Sequence, residues 1–282
     1  MLSSIHVNSG WVIATLIASL FAIIYPFALA LIAHRRLKVS WKYFAFGLLI
    51  FLIFQVLTRV PAVTILGRVL APKLNSSTAF LYTWLAILAL SAGLFEEIGR
   101  YLGYRWFMGK EEKTWSKAVM YGLGHGGLES MLLVGGLSWL TLVNVVVLSS
   151  INLNSLPAAT HAQVVQQINA INAEPVWLPL LSAWERLWAI PVQVALSVIV
   201  LQVFRRESIL WLVLAILAHA VFDFITVALV QVLGSSKIST NLIVELIIAL
   251  VGLGAIWVLW ALRDRTVVSE VEQEPQLPGV AQ

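Results

Sequence analysis

An all-α, polytopic membrane helical bundle of about seven transmembrane helices, eight if one long span breaks, is the fold class this sequence predicts. Three observations carry the prediction. Of the 282 residues, 60% are hydrophobic and only 11% charged, which is more apolar surface than a single soluble core can bury. The apolar residues fall in runs at least as long as the roughly 20 residues a helix needs to cross a hydrocarbon core. Lys and Arg gather in short clusters at alternate ends of those runs, the distribution that marks loops kept on the inner side of a membrane.

The first span, Trp11 to Ala33, is too long for a signal-peptide core and has no basic stretch before it, so it reads as a retained helix. Arg35, Arg36, Lys38 and Lys42 follow it. The second, Tyr43 to Leu70, contains Pro61, where a tilt or break is expected. The third, Thr78 to Phe107, ends among Arg105, Lys110, Lys113 and Lys117, and the fourth runs from Trp115 to Leu148. The stretch 149–175 has no Lys or Arg but repeats Val164, Val165, Ile168 and Ile171 at helical spacing, which predicts a short amphipathic segment outside, either a lid or a surface helix. The fifth span, Val176 to Phe204, contains Pro191, a second candidate break, and precedes Arg205 and Arg206. The sixth is Leu210 to Leu233; the seventh, Asn241 to Leu262, precedes Arg263 and Arg265. The opposite loops hold chiefly Arg68, Lys73 and Lys237, so the N-terminus is expected outside and the C-terminus inside a cytoplasmic membrane. Residues 1–265 read as one transmembrane helical domain and 266–282, polar and acidic, as a disordered cytoplasmic tail.

Composition also excludes chemistry. With no cysteine, disulfides, thiolate metal sites and cysteine nucleophiles are absent. The net charge of +4 is spread in clusters beside the spans, which reads as a topology signal with the lipid bilayer as partner, and no nucleic acid is expected.

Charged groups at mid-membrane cost at least about 2.5–3.5 kcal/mol each, so they need a partner or a purpose. Four consecutive spans carry them: Glu96, Glu97 and Arg100 on the third; Tyr121, His125 and Glu129 on the fourth; Glu185 and Arg186 on the fifth; His219 and Asp223 on the sixth. Residues three or four apart share a helical face, so the two glutamates can face Arg100, while Tyr121, His125 and Glu129 form one stripe and His219 and Asp223 another. Counting about 1.5 Å per residue from the basic ends puts Glu97, His125, Gln193 and His219 roughly 12–20 Å deep, in one layer. Glu129, Asp223, Glu185 and Arg186 fall further out, as a supporting network. The glycines of Gly122-Leu-Gly124-His125-Gly126-Gly127 either make room for a substrate chain or water, or permit close helix packing.

A carboxylate beside a histidine in a wet intramembrane pocket can act as general base on water, which makes hydrolysis the natural reaction. In that reading Glu96 or Glu97 takes the water proton, His125 orients the water or stabilises charge, His219 donates to the developing oxyanion, and Arg100 holds a glutamate ionised. Alternatively Glu97, His125 and His219 form a two-histidine, one-carboxylate set suited to a divalent metal such as zinc. Residue types alone leave both routes open. The strings Phe95-Glu-Glu-Ile-Gly-Arg100-Tyr101, Gly122-Leu-Gly-His-Gly-Gly-Leu-Glu129, Glu185-Arg186 and Ala218-His219-Ala-Val-Phe-Asp223-Phe224 resemble the YhfC-type family of intramembrane proteases, itself similar to the CAAX-prenyl protease and bacteriocin-processing group. The resemblance covers about 91–224 and implies an intramembrane peptidase in a bacterial membrane, acting on a membrane-embedded or lipidated peptide near the inner half of the bilayer. It also implies that Glu96 and Glu97 supply the catalytic carboxylate and that His125 and His219 complete the site. Two departures stand out: only two residues separate Glu97 from Arg100, where the wider group has three, and Gln193 stands where a YhfC-like sequence is expected to carry histidine. Glutamine is a poor zinc ligand.

Two other classes compete with the enzyme. Intramembrane Glu, His, Asp and Arg chains also mark proton-coupled transporters, which should show paired halves; here the polar groups crowd into four spans. A membrane scaffold would use the same groups as interhelical hydrogen bonds, with Glu185–Arg186 a structural pair and Tyr121 packing.

Overall fold

The computed structural model describes residues 6–150, 156–234 and 237–264; the tail expected at 266–282 lies outside them. Among the described residues eight helices run in chain order: α1 Ser9–Leu37, α2 Trp41–Ser76, α3 Thr78–Trp106, α4 Trp115–Ser150, α5 Ala158–Ala173, α6 Leu180–Arg205, α7 Leu210–Leu233 and α8 Ile238–Ala261. All but α5 are long and apolar enough to cross a membrane, which makes the chain a polytopic helical bundle. Starts follow local chemistry: the side chains of Asn8, Ser40, Ser77 and Thr114 accept backbone N–H bonds at the first turns of α1 to α4. His34, Arg35 and Arg36 sit in the last turn of α1, where cations suit the helix dipole.

The two longest spans are uneven. Leu52–Arg59 within α2 and Ser130–Gly136 within α4 wind as π-helix, yet neither span is cut, so the count stays at seven. The irregularity expected at Pro61 falls just before it, where the proline leaves the Leu57 carbonyl without its usual N–H partner. The break expected at Pro191 does not occur: α6 is helical throughout, and the Tyr25 hydroxyl donates at 3.4 Å to the Leu187 carbonyl, four residues before the proline.

At the centre stands α6, buried almost without interruption from Ala189 to Gln202, more than any other span. Around it α2 packs on α4, α3 on α7, and α4 and α8 on α6. The α2–α4 contact is backbone against backbone: a Cβ on Gly47 would lie 1.9 Å from the Tyr121 carbonyl oxygen, and one on Gly124 the same distance from that of Phe44. Outward faces remain apolar, as Ile13, Ile24, Leu57, Leu217, Leu246 and Trp257 illustrate, because lipid and not water is their solvent.

The two ends are tied differently. At the basic end Lys42 pairs with Glu111 at 2.8 Å and Arg205 with Asp264. At the other end α5 is the helix anticipated from the apolar repeat, with Val164 and Ile168 buried. Its end is clamped to the start of α1, where Asn172 accepts from the Asn8 N–H at 2.8 Å and donates to the His6 carbonyl at 2.9 Å.

Candidate active site

The polar residues of the four spans meet. Glu96 and Glu97 on α3 are 3% and 0% exposed, His125 on α4 is 0% exposed and His219 on α7 is 4% exposed, too dry to be a snorkelling pair at a helix end. They sort into two carboxylate–histidine pairs. His125 Nε2 lies 2.9 Å from Glu96 Oε2, and His219 Nδ1 lies 2.6 Å from Glu97 Oε1. Since a carboxylate only accepts, each bond places a proton on the named ring nitrogen. His219 Nε2 is then left facing Asp223 Oδ2 at 3.6 Å, too far for a hydrogen bond.

Arg100, wholly buried, serves both glutamates. Nη1 donates to Glu97 Oε1, and Nη2 stands 3.6 Å from Glu96 Oε2 while donating to Gln193 Oε1. Gln193 in turn donates from Nε2 to Glu129 Oε2 at 2.6 Å, so the glutamine at the expected histidine position bridges the inner layer to the outer one. That outer layer is Arg186, which donates to Glu129 Oε1 at 2.9 Å and to Glu185. Tyr121 is packed and buried, with its hydroxyl donating to the Arg100 carbonyl at 3.3 Å.

Room for a substrate does not come from the glycines around His125, and this corrects one of the two readings of that string. A Cβ on Gly122 would meet Val194 Cα at 2.7 Å, one on Gly126 would meet Gln193 Cβ at 2.7 Å, and Gly127 is covered by Pro26. They are close-packing positions, filled by neighbouring helices. Space lies instead in a cavity of about 210 Å³ lined by Glu96, His219, Asp223, Glu129, Glu185, Arg186 and Gln193, among others. Glu97, Arg100 and His125 are not in its wall. The structure therefore separates two adjacent glutamates: Glu96 reaches the cavity and Glu97 is sealed behind it.

The wall also contains two residues the sequence reading passed over, Gln55 and Arg59, both on the π-helical stretch of α2. Gln55 Nε2 donates to Glu96 Oε1 at 2.8 Å and its Oε1 accepts from Arg59 at 3.1 Å. Their signal was legible in principle, since polar residues four apart inside an apolar span share a face and demand a partner.

The donor set bears on a metal. The proposed ligands Glu97, His125 and His219 are gathered as members of two pairs, and among the described residues no three His, Asp or Glu side chains converge as a ligand group. A guanidinium already stands between the carboxylates, and the neighbouring position is glutamine. These residues do not fit a zinc set of the two-histidine, one-carboxylate kind.

Among the described residues, seven spans closing over two carboxylate–histidine pairs and a polar cavity define a multi-pass membrane protein with a buried polar centre. Residues 20–248 match the family described as YhfC intramembrane metalloprotease, and the chain belongs to that family. It is 31% identical over 265 residues to the uncharacterized membrane protein YhfC of Bacillus subtilis (strain 168), an alignment covering 91% of this chain and 98% of that protein. No solved structure matches the chain.

Proposed function

We propose that this protein is an intramembrane endopeptidase of a bacterial cytoplasmic membrane, N-terminus out and C-terminus in, that hydrolyses a peptide bond with a water activated by Glu96. The observation that carries the reading is the pairing of a cavity-lining carboxylate with a histidine: Glu96 is in the cavity wall, held by His125 at 2.9 Å, with His219 in the same wall. Such a carboxylate can take a proton from water while the water oxygen attacks a peptide carbonyl. His219 in its protonated form, with Nδ1 fixed on Glu97, donates from Nε2 to the oxyanion that develops on that carbonyl. Collapse of the tetrahedral intermediate breaks the C–N bond, and Glu96 returns its proton to the leaving amine. Arg100 keeps the charge of the glutamate pair balanced throughout.

The family description implies a metal, which when bound would supply a polarised water; the bonds of His125 to Glu96 and of His219 to Glu97 support the Glu96 route. The substrate class that suits a cavity within the spans is a membrane-embedded or lipidated peptide.

The experiment is cleavage of a pool of membrane peptides by the purified protein in lipid nanodiscs, with and without chelator. Wild type is expected to cleave and to keep its rate in chelator, and His125→Ala, folded by circular dichroism, to lose it. Absence of cleavage by wild type, or unchanged cleavage by the folded variant, removes the proposal in favour of transport or scaffolding.

A further inference from the structure

Gln55 and Arg59 lie on α2, outside the strings that carry the family resemblance, and both reach the cavity. Gln55 is 6% exposed and its amide is held at both ends, by Arg59 Nη1 on the oxygen and by Glu96 Oε1 on the nitrogen. A side-chain amide can turn over with almost no change of shape, so something must decide which end meets the carboxylate. Arg59 decides it: a guanidinium only donates, so the amide oxygen must face Arg59 and the NH₂ group must face Glu96.

Arg59 is itself fixed by neutral acceptors. Its Nε donates to Ser91 Oγ at 3.0 Å and its Nη2 to the Leu88 carbonyl at 2.6 Å, both on α3. Among the described residues it makes no ion pair within 4 Å. An arginine placed to neutralise Glu96 would touch it; here an amide stands between them, and the π-helical winding of Leu52–Arg59 sets both side chains at that spot.

We propose that Gln55 and Arg59 are a positioning relay for Glu96, Arg59 setting the polarity of the Gln55 amide and Gln55 pinning one oxygen of the carboxylate, so that the oxygen shared with His125 is presented to water. The relay rests on Glu96 as the base of the proposed hydrolysis. It acts on the reacting group through another side chain, which makes its kinetic signature specific. A carboxylate displaced by a fraction of an ångström binds substrate as before but reacts more slowly.

The test is a set of variants in nanodiscs. Gln55→Leu is expected to lower kcat by about 10- to 100-fold with KM unchanged. Arg59→Gln, which frees the amide to turn over, should reproduce that loss. Arg59→Lys, which still only donates, should recover most of it. The double variant Gln55→Leu with Arg59→Gln should be no worse than Gln55→Leu alone. Wild-type kcat in Gln55→Leu, or losses that multiply in the double variant, overturns the relay. If wild type cleaves nothing, the peptidase reading fails and the relay is decided by thermal unfolding instead. Arg59→Gln and Glu96→Gln should then be coupled in their effect on the midpoint, and the coupling should shrink in a Gln55→Leu background; coupling of undiminished size there overturns the relay.

Discussion

Glu96 and Glu97 are consecutive residues on one helix, each bonded to a histidine from a different helix, and they live in opposite surroundings. Glu96 shares its oxygens between Gln55 and His125 and borders a cavity of about 210 Å³. Glu97 gives one oxygen to both Arg100 and His219, and its other oxygen is buried with no hydrogen-bond partner among the described residues. The lesson is that two carboxylates with the same kind of partner can differ in access, and access is what the proposed chemistry needs. Successive residues on a helix point about 100° apart, enough to put one side chain on a wet wall and the next in a sealed interior.

The largest expected effect follows on the wet side. Glu96→Gln removes the proposed base and keeps the shape, so the rate should fall by about 10²–10⁴-fold while the unfolding temperature stays close to that of wild type. Steady-state cleavage and a thermal melt on the same preparation separate the two. A Glu96→Gln protein that cleaves normally breaks the comparison outright. On the sealed side the balance reverses. Glu97→Gln leaves Arg100, wholly buried, with only Glu96 at 3.6 Å as anionic partner, and should cost about 3–5 kcal/mol of stability, seen in a denaturant or thermal melt. Its rate should fall as well, because His219 Nδ1 loses the carboxylate that holds it, so the melt rather than the rate tells the two glutamates apart.

Much of this was legible before any coordinates. Seven apolar runs, their basic ends and the four polar spans follow from hydropathy and spacing, and the structure places Glu96, Glu97, Arg100, His125, Gln193 and His219 in one connected cluster. Which glutamate faces the cavity was not legible, because it depends on where α2 and α6 pack and not on α3 itself. Gln55 and Arg59 were missed for a related reason: an isolated polar pair inside a long apolar run has no motif, only a cost that some neighbour must offset. The π-helical stretches leave no mark on hydropathy at all. Glutamine at position 193 is a poor metal ligand, yet its amide, with one acceptor and two donors, is what lets it join Arg100 to Glu129.

A smaller effect sharpens the sealed side. The enclosure of His125 depends on α2 and α4 touching through Gly47 and Gly124, so Gly124→Ala forces a methyl to within 1.9 Å of the Phe44 carbonyl oxygen. Backbone cannot give way as a side chain tip can, and the helices must separate at a cost of about 1–3 kcal/mol, measurable as a lowered melting midpoint. Gly254, where a Cβ would meet no neighbour within 4 Å, serves as the control and should tolerate alanine better.

The smallest effect belongs to a third carboxylate, paired like the other two but in water. Glu111, in the loop between α3 and α4, accepts from Lys42 Nζ at 2.8 Å and from the Tyr43 hydroxyl at 2.6 Å, with Lys117 at 3.7 Å. The Lys42 hydrogen bond, followed by that of Tyr43, holds its pKa down at about 2 against an ordinary 4.5. Because the folded pKa is the lower one, the stabilisation is present above about pH 4.5 and is lost as the pH falls toward 2. Melting wild type and Glu111→Gln side by side should therefore show a small gap at pH 6 that closes on acidification and narrows in high salt, since solvent and ions screen an exposed pair. A gap as large as that of Glu97→Gln, or one that persists at pH 2, would mean that burial is not what sets the sealed glutamate apart.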